Sequence, residues 1–294
     1  MRPDIMRKLA KPMLFGAAII WGTSFFIMKN ALDVMPVFSL LAVRFTAGAL
    51  LLALVCRHRW KDFSADYLWR GAIIGAFLFL AYLIQTFGLE RTTPSKNAFL
   101  TAVYCVMVPF FYWAVMGKKP DRYNIGAALL CVTGVGLVSL NGDLSVNMGD
   151  VLTLIAACFY AAHIIAVEKN AQGKDIYLLT VFQFVFAAVY AWIGSIALET
   201  MPLREMAEPA VYLPLAYLCV MPTAVALLFQ NVGQIWSDPA SASVILSLES
   251  VFGVLFSVIC YGDRVTGQMA LGFGFIFVAV VCSETKFSFL QKKK

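Results

Sequence analysis

The sequence predicts an all-α integral membrane protein whose ten transmembrane helices form two inverted five-helix repeats. Two observations carry that reading. Hydrophobic residues make up 61% of the 294 and charged residues only 14%, with a mean hydropathy of +0.80, whereas a soluble domain carries about 25% charge. The apolar residues also gather into ten runs of membrane-crossing length, and the second five runs echo the first five.

Runs of roughly 17 to 25 apolar residues cross a bilayer as helices. They fall at 13–31, 37–56, 68–87, 96–116, 123–140, 149–167, 176–198, 210–230, 240–260 and 266–283. The first follows Arg2, Arg7, Lys8 and Lys11 but is too long for a secretory signal and lacks a small-residue cleavage site, so it reads as a retained helix. Span three holds Gly71-x-x-x-Gly75, and spans five and ten hold Gly134-x-Gly136 and Gly272-x-Gly274, small-residue patterns that let helices approach closely. Spans four and nine open on Thr93-Pro94 and Asp238-Pro239, each a capping side chain followed by a first-turn proline. The connections are short, which leaves no room for a soluble catalytic lobe.

Charge placement sets the expected orientation. With the N-terminus in the cytoplasm, seventeen of the 23 lysines and arginines fall on inner segments and five on outer ones, with Arg44 inside a helix. By the positive-inside rule both termini are cytoplasmic, in a bacterial-type inner (plasma) membrane. Lys292, Lys293 and Lys294 then anchor a basic tail, 286–294, to anionic lipid. The formal charge of +6 follows from this asymmetry, and a nucleic-acid partner is not expected. Cys56, Cys105, Cys131, Cys158, Cys219, Cys260 and Cys282 show no ligand spacing and read as buried thiols.

The halves, 1–140 and 149–285, align with each other. A shift of 145 puts Gln85 on Gln230, Gly88 on Gly233, Pro94 on Pro239, Val106 on Val251 and Gly117 on Gly262; a shift near 139 puts Trp21-Gly22 on Tyr160-Ala161 and Phe45 on Phe184. Five crossings per half is an odd number, so the second copy enters from the opposite side. Two such halves exchange conformations at similar energy, as alternating access requires.

The run Trp21-Gly22-Thr23-Ser24-Phe25, Arg44-Phe45, Gln85-Thr86-Phe87-Gly88-Leu89 through Thr93-Pro94, and Ser247-Leu248-Glu249-Ser250 resemble the EamA family of the drug/metabolite transporter superfamily. The resemblance covers about residues 10 to 285. It implies ten helices, a central cavity between the halves, and a carrier that in many relatives exports amino acids or other metabolites. Two positions depart from the family pattern: Gly262-Asp263 stands where Gly-Glu is usual, and Ser250 where a proline follows the glutamate, which predicts a straighter span nine.

Polar residues at membrane depth are the candidate machinery, because each costs on the order of 2.5–3.5 kcal/mol when charged and persists where it faces a cavity or a partner. Arg44 lies roughly 10 Å from the outer end of span two at a rise of ~1.5 Å per residue, and Glu249 lies near the midplane of span nine. Either they interact, directly or through water, and set the charge of a cavity, or Arg44 snorkels outward or caps a helix end while Glu249 bonds to backbone. His163 in span six is a candidate proton exchanger, or a satisfied hydrogen-bond partner. The symmetry mates Gln85 and Gln230, with Gln183 aligned on Arg44, bind a zwitterionic or hydroxylated solute or stitch helices together. Trp21, Tyr82, Tyr104 and Tyr160 fall inside spans, away from the interfacial belts, and Tyr104 aligns with Glu249. Rings beside an acid suit a cationic group on an apolar body; packing is the alternative for each ring.

No nucleotide-binding Gly-rich loop, nucleophile triad, zinc motif, voltage-sensor repeat or channel filter occurs, so an enzyme is not expected and no cofactor is called for. The expected function is a secondary transporter of a small metabolite, with membrane lipid and a small-molecule substrate as partners. A proton-coupled importer of a cationic or zwitterionic solute, and a non-transporting membrane scaffold, remain as alternatives.

Overall fold

A computed structural model describes residues 3–117, 119–140, 146–237 and 239–285. The basic tail and the Asp238 cap expected above lie outside them. The described helices are α1 (Pro3–Ala31), α2 (Val37–Val55), α3 (Asp66–Arg91), α4 (Pro94–Ala102), α5 (Tyr104–Met116), α6 (Arg122–Ser139), α7 (Met148–Ala171), α8 (Ile176–Leu198), α9 (Pro209–Leu218), α10 (Ala226–Ile235), α11 (Pro239–Phe256) and α12 (Gly267–Thr285). Among the described residues nine helical segments are long and apolar enough to cross a membrane, and the shorter Ile245–Tyr261 makes ten. Ten crossings return the chain to the side where it began, called here the terminal side; the opposite face is the far side.

The spans pack mainly against the other half. α2 lies along α8, α3 along α7 and α8, α1 along α11, and α6 along α12. The α2–α8 seam is built from Leu41, Phe45 and Ala49 against Val181, Phe184 and Ala188, all buried. Gly134 and Gly272 make the α6–α12 seam possible: a Cβ on Gly134 would lie 2.8 Å from the Gly272 carbonyl oxygen. Gly71 and Gly75 serve the same end against Phe182 and Gln183 of α8, but Gly136 has only the tip of Leu140, at 3.9 Å, beside it and Gly274 faces open space. The other faces of the spans carry exposed apolar side chains such as Leu50, Leu129, Val132, Ile193 and Ile196. That is the pattern of a surface solvated by lipid.

The inverted symmetry reaches the helix ends. Gly117 closes span four at φ 71° and Gly262 closes span nine at φ 78°, both in the left-handed region that only glycine enters without strain. These are partners under the 145 shift. Thr93 caps α4 as its sequence predicts, its hydroxyl accepting from Lys96 N at 3.4 Å. Asp263, the acid in the Gly-Glu position, accepts from Ser95 N at 3.0 Å and so occupies the same amide end from the other half. Lys29 of α1 donates to the last carbonyls of α3, Leu89 and Glu90, at 2.7 and 2.8 Å.

Two spans are less regular than their apolar runs imply. Span four breaks at Val103, between α4 and α5, and Pro109 within α5 withholds the N–H that the Cys105 carbonyl would receive. Span eight widens into a π turn over Cys219–Val225. Pro222 has no N–H for the carbonyl of Leu218 four residues back; the Thr223 hydroxyl donates to that carbonyl instead, at 2.8 Å. Span nine, expected to be straighter for lack of a proline, is helical from Pro239 to Phe256 and turns to a π geometry only over Ser257–Tyr261.

Candidate functional site

Between the halves lies a cavity of about 380 Å³, at the small end of the roughly 300–1,000 Å³ that ligand pockets occupy. It runs from Leu89 and Asn97, near the far-side ends of α3 and α4, to Val167, Ile176 and Glu284 at the terminal-side ends of α7, α8 and α12. All ten side chains singled out from the sequence lie on its wall: Trp21, Arg44, Tyr82, Gln85, Tyr104, Tyr160, His163, Gln183, Gln230 and Glu249.

The break in span eight builds one wall. The Thr223 hydroxyl that serves the Leu218 carbonyl also accepts from Arg44 Nε at 2.8 Å, and the Pro222 carbonyl accepts from Trp21 Nε1 at 2.8 Å. One irregular turn therefore orients both an arginine and a tryptophan, the kind of use to which π turns are commonly put. Arg44 is 1% exposed; its Nη1 meets Met28 Sδ at 3.2 Å, and its guanidinium carbon sits 5.1 Å from the centre of the Tyr82 ring.

The two charges line one cavity, and no direct contact joins them among the described residues. Arg44 does not snorkel, and among the described residues no ion pair or hydrogen bond joins it to Glu249. Glu249, 8% exposed on the cavity wall, has no hydrogen-bond partner among the described residues, on backbone or side chain.

The amides divide by role. Gln85 is fully engaged: its Nε2 donates to Thr101 Oγ1 at 2.8 Å and its Oε1 accepts from Tyr160 at 2.8 Å, tying α3 to α4 and α7. His163 Nε2 lies 3.2 Å from Gln183 Oε1, which matches the satisfied-partner alternative and joins α7 to α8. Gln230 makes no such bond among the described residues. The rings form a continuous group: Tyr82 and Tyr160 are 5.6 Å apart edge to face, and Tyr104 and Tyr160 are 6.0 Å apart.

The far end of the cavity is closed by residues the sequence reading did not single out. Asp150, fully buried at the start of α7, accepts from the Thr92 hydroxyl and from Lys96 Nζ, the latter at 3.1 Å. Just below, Asn97 donates to Thr153 Oγ1 at 2.8 Å. On the terminal side the halves are joined by Arg59 with Asp175 and by Lys174 with Asp66 at 2.9 Å, where one member of each pair is half exposed. Such solvent-screened pairs add little to stability. The stronger closure is on the far side.

The model of the EamA-like transporter family matches residues 9–140 and again 147–285. The chain belongs to that family. Its EamA-like matches meet between spans five and six, one to each half. Among its relatives is an uncharacterized transporter of Archaeoglobus fulgidus, 33% identical over 269 residues, which cover 90% of this chain and 82% of the relative. Another is the uncharacterized inner membrane transporter YedA of Escherichia coli K12, 25% identical over 279 residues, covering 91% and 88%. A solved crystal structure, 16% identical, superposes with a TM-score of 0.68 over 97% of this chain and 99% of that one, and shares its fold. Family and relatives are transporters, so this EamA-like chain is a membrane transporter by kinship.

Proposed function

We propose that this protein is a secondary transporter that moves a small metabolite by alternating access, its halves rocking around the central cavity. The observation that carries the reading is the cavity itself: polar and aromatic side chains from both halves converge on a chamber whose far end lies by the buried Lys96–Asp150 pair and whose wall extends to the terminal-side ends of α7, α8 and α12. A scaffold has no need of such a chamber. The positive-inside asymmetry puts both termini in the cytoplasm, so the conformation described is the one facing inward. Export of amino acids or related compounds is the direction and class that the family resemblance implies, with Trp21, Tyr82, Gln85, Tyr104, Gln183, Gln230 and Glu249 contacting the solute and Arg44, His163 and Glu249 setting the charge of the chamber.

The test is flux in proteoliposomes against a panel of amino acids, polyamines, quaternary amines and nucleosides. Saturable flux of one class, lost when Tyr160 is replaced by a bulky residue that fills the chamber, supports the reading; no flux of any solute overturns it. Proton-coupled import is a second reading, favoured by the unpaired carboxylate of Glu249 in the chamber. An imposed pH gradient that leaves the flux unchanged removes it.

A further inference from the structure

Gly48 stands one helical turn from Arg44 on α2, both of them buried, so the two face the same neighbour, the π turn of span eight. A Cβ on Gly48 would lie 2.6 Å from Thr223 Cγ2, closer than two carbons approach; the next nearest atoms are Thr223 Cβ at 3.8 Å and a Phe184 ring carbon at 3.9 Å. The space at Gly48 is therefore fitted to one methyl group. That methyl shares its Cβ with the hydroxyl that donates to the Leu218 carbonyl and accepts from Arg44 Nε, each at 2.8 Å. Threonine is stiff at χ1, so the methyl cannot swing clear without taking the hydroxyl off both partners. Pushing the whole turn away from α2 stretches the same Arg44 bond. Either way a methyl added at Gly48 is felt at Arg44, whose other contacts are the Met28 sulfur, a weak acceptor, and the face of the Tyr82 ring.

The other repeat lacks this device. The shift near 139 that puts Phe45 on Phe184 puts Gly48 on Ala187, which packs on span three, a continuous helix from Asp66 to Arg91. There the room is made by Gly75 of α3, whose Cβ would lie 3.2 Å from Ala187 N. Glycine holds the position where the facing helix is broken, and alanine holds it where the facing helix is whole. We infer that Gly48 is a positioning residue: the space it leaves seats the Thr223 methyl, and the seated Thr223 sets the direction in which Arg44 enters the chamber. This rests on the transport reading above and adds to it the residue that aims the arginine, the one side chain of the chamber that keeps its charge at any physiological pH.

The Arg44 Nε–H signal in nitrogen-15 NMR of the purified full chain, assigned by its absence from Arg44→Lys, reads the bond to Thr223 directly. Gly48→Ala is expected to shift or lose that signal, and Thr223→Ser to keep it. Gly48→Ala combined with Thr223→Ser moves one methyl across the seam at constant volume and restores the signal. In proteoliposomes the half-saturation concentration of the panel solute that shows saturable flux rises several-fold in Gly48→Ala and returns in the double variant. An unchanged signal in Gly48→Ala, a double variant that does not restore it, or an unchanged half-saturation concentration once the signal is lost overturns the assignment. Should Gly48→Ala not fold, the double variant decides: folding with the wild-type signal supports the assignment, and failure to fold where Thr223→Ser folds overturns it. Absence of wild-type flux for the whole panel removes the transport reading and the positioning role with it, whereas a failure of the signal test beside intact flux removes only the role of Gly48.

Discussion

Lys96 of α4 donates to the buried carboxylate of Asp150 on α7 at 3.1 Å, so the two halves are joined by an ion pair at the far end of the chamber. Asp150 has no exposed surface and the Lys96 side chain only 13%. Removing one member of a buried pair leaves an uncompensated charge, at a cost of about 3–5 kcal/mol. The proposed alternating access requires this contact to break and re-form, so weakening it is expected to shift the population toward a far-side-open state. In a background lacking the native cysteines, Asn97→Cys is a reporter just below the pair. Asp150→Asn is expected to raise its labelling from the far side by a membrane-impermeant thiol reagent several-fold. Unchanged labelling would show that the pair does not close the chamber.

Thr223 stands between a helix defect and the chamber. Its hydroxyl donates to the Leu218 carbonyl that Pro222 cannot serve and accepts from Arg44 Nε. Thr223→Val leaves the Arg44 Nε–H bare and takes the second donor from the Leu218 carbonyl, at about 1–3 kcal/mol for the buried donor left unsatisfied. Thr223→Ser keeps the hydroxyl. Thermal unfolding in detergent should therefore separate the two, with the valine variant well below the wild type and the serine variant close to it. Equal melting of the two variants would mean that the methyl packing, not the hydroxyl, matters at this position.

The ten spans were legible because hydrocarbon thickness imposes a length and a composition that few other structures share. The chamber residues were legible for a related reason: Arg44, Glu249, His163 and the glutamines stand out as polar groups inside apolar runs, and such groups turn inward. Lys96 and Asp150 gave no such signal. Each sits within one turn of a helix start, where a charge in sequence is indistinguishable from a solvated loop residue. Only the packing of α4 against α7 makes them a buried pair. Thr223 was hidden differently, since a threonine after a proline in a span is unremarkable until Arg44 is found bonded to it. Sequence places Arg44 and Glu249 only by their depth along a span, and depth does not say which way a side chain is held.

Gly134 packs on the backbone of α12, whereas Gly136, two residues on, has only the tip of Leu140 nearby. The sequence treats both as one small-residue pair. Gly134→Ala places a methyl 2.8 Å from the Gly272 oxygen and forces α6 and α12 apart, an overpacking cost of about 1–3 kcal/mol. Gly136→Ala meets nothing closer than the Leu140 side chain and gains helix propensity. The expected order of melting temperatures is Gly136→Ala at or above wild type, then Gly134→Ala clearly below. A reversed order would place the α6–α12 contact elsewhere.

Gln85 and Gln230 occupy equivalent positions in the two repeats but not equivalent environments. Gln85 spends both ends of its amide on Thr101 and Tyr160, while Gln230 lines the chamber with no hydrogen bond among the described residues. An interhelical hydrogen bond in a membrane contributes about 0.6 kcal/mol and at most about 1.7, so Gln85→Leu is expected to lose roughly 1–3 kcal/mol of stability. It also frees the Tyr160 ring from its fixed orientation. Gln230→Leu breaks nothing and should melt near the wild type, so any loss of flux it causes comes from the solute and not from the fold. Measured side by side, a stability loss confined to Gln85→Leu identifies the first glutamine as a strut in this conformation. Equal losses in both variants would instead mean that the two halves hold their glutamines alike, and that the asymmetry between the mates is not a property of the folded state.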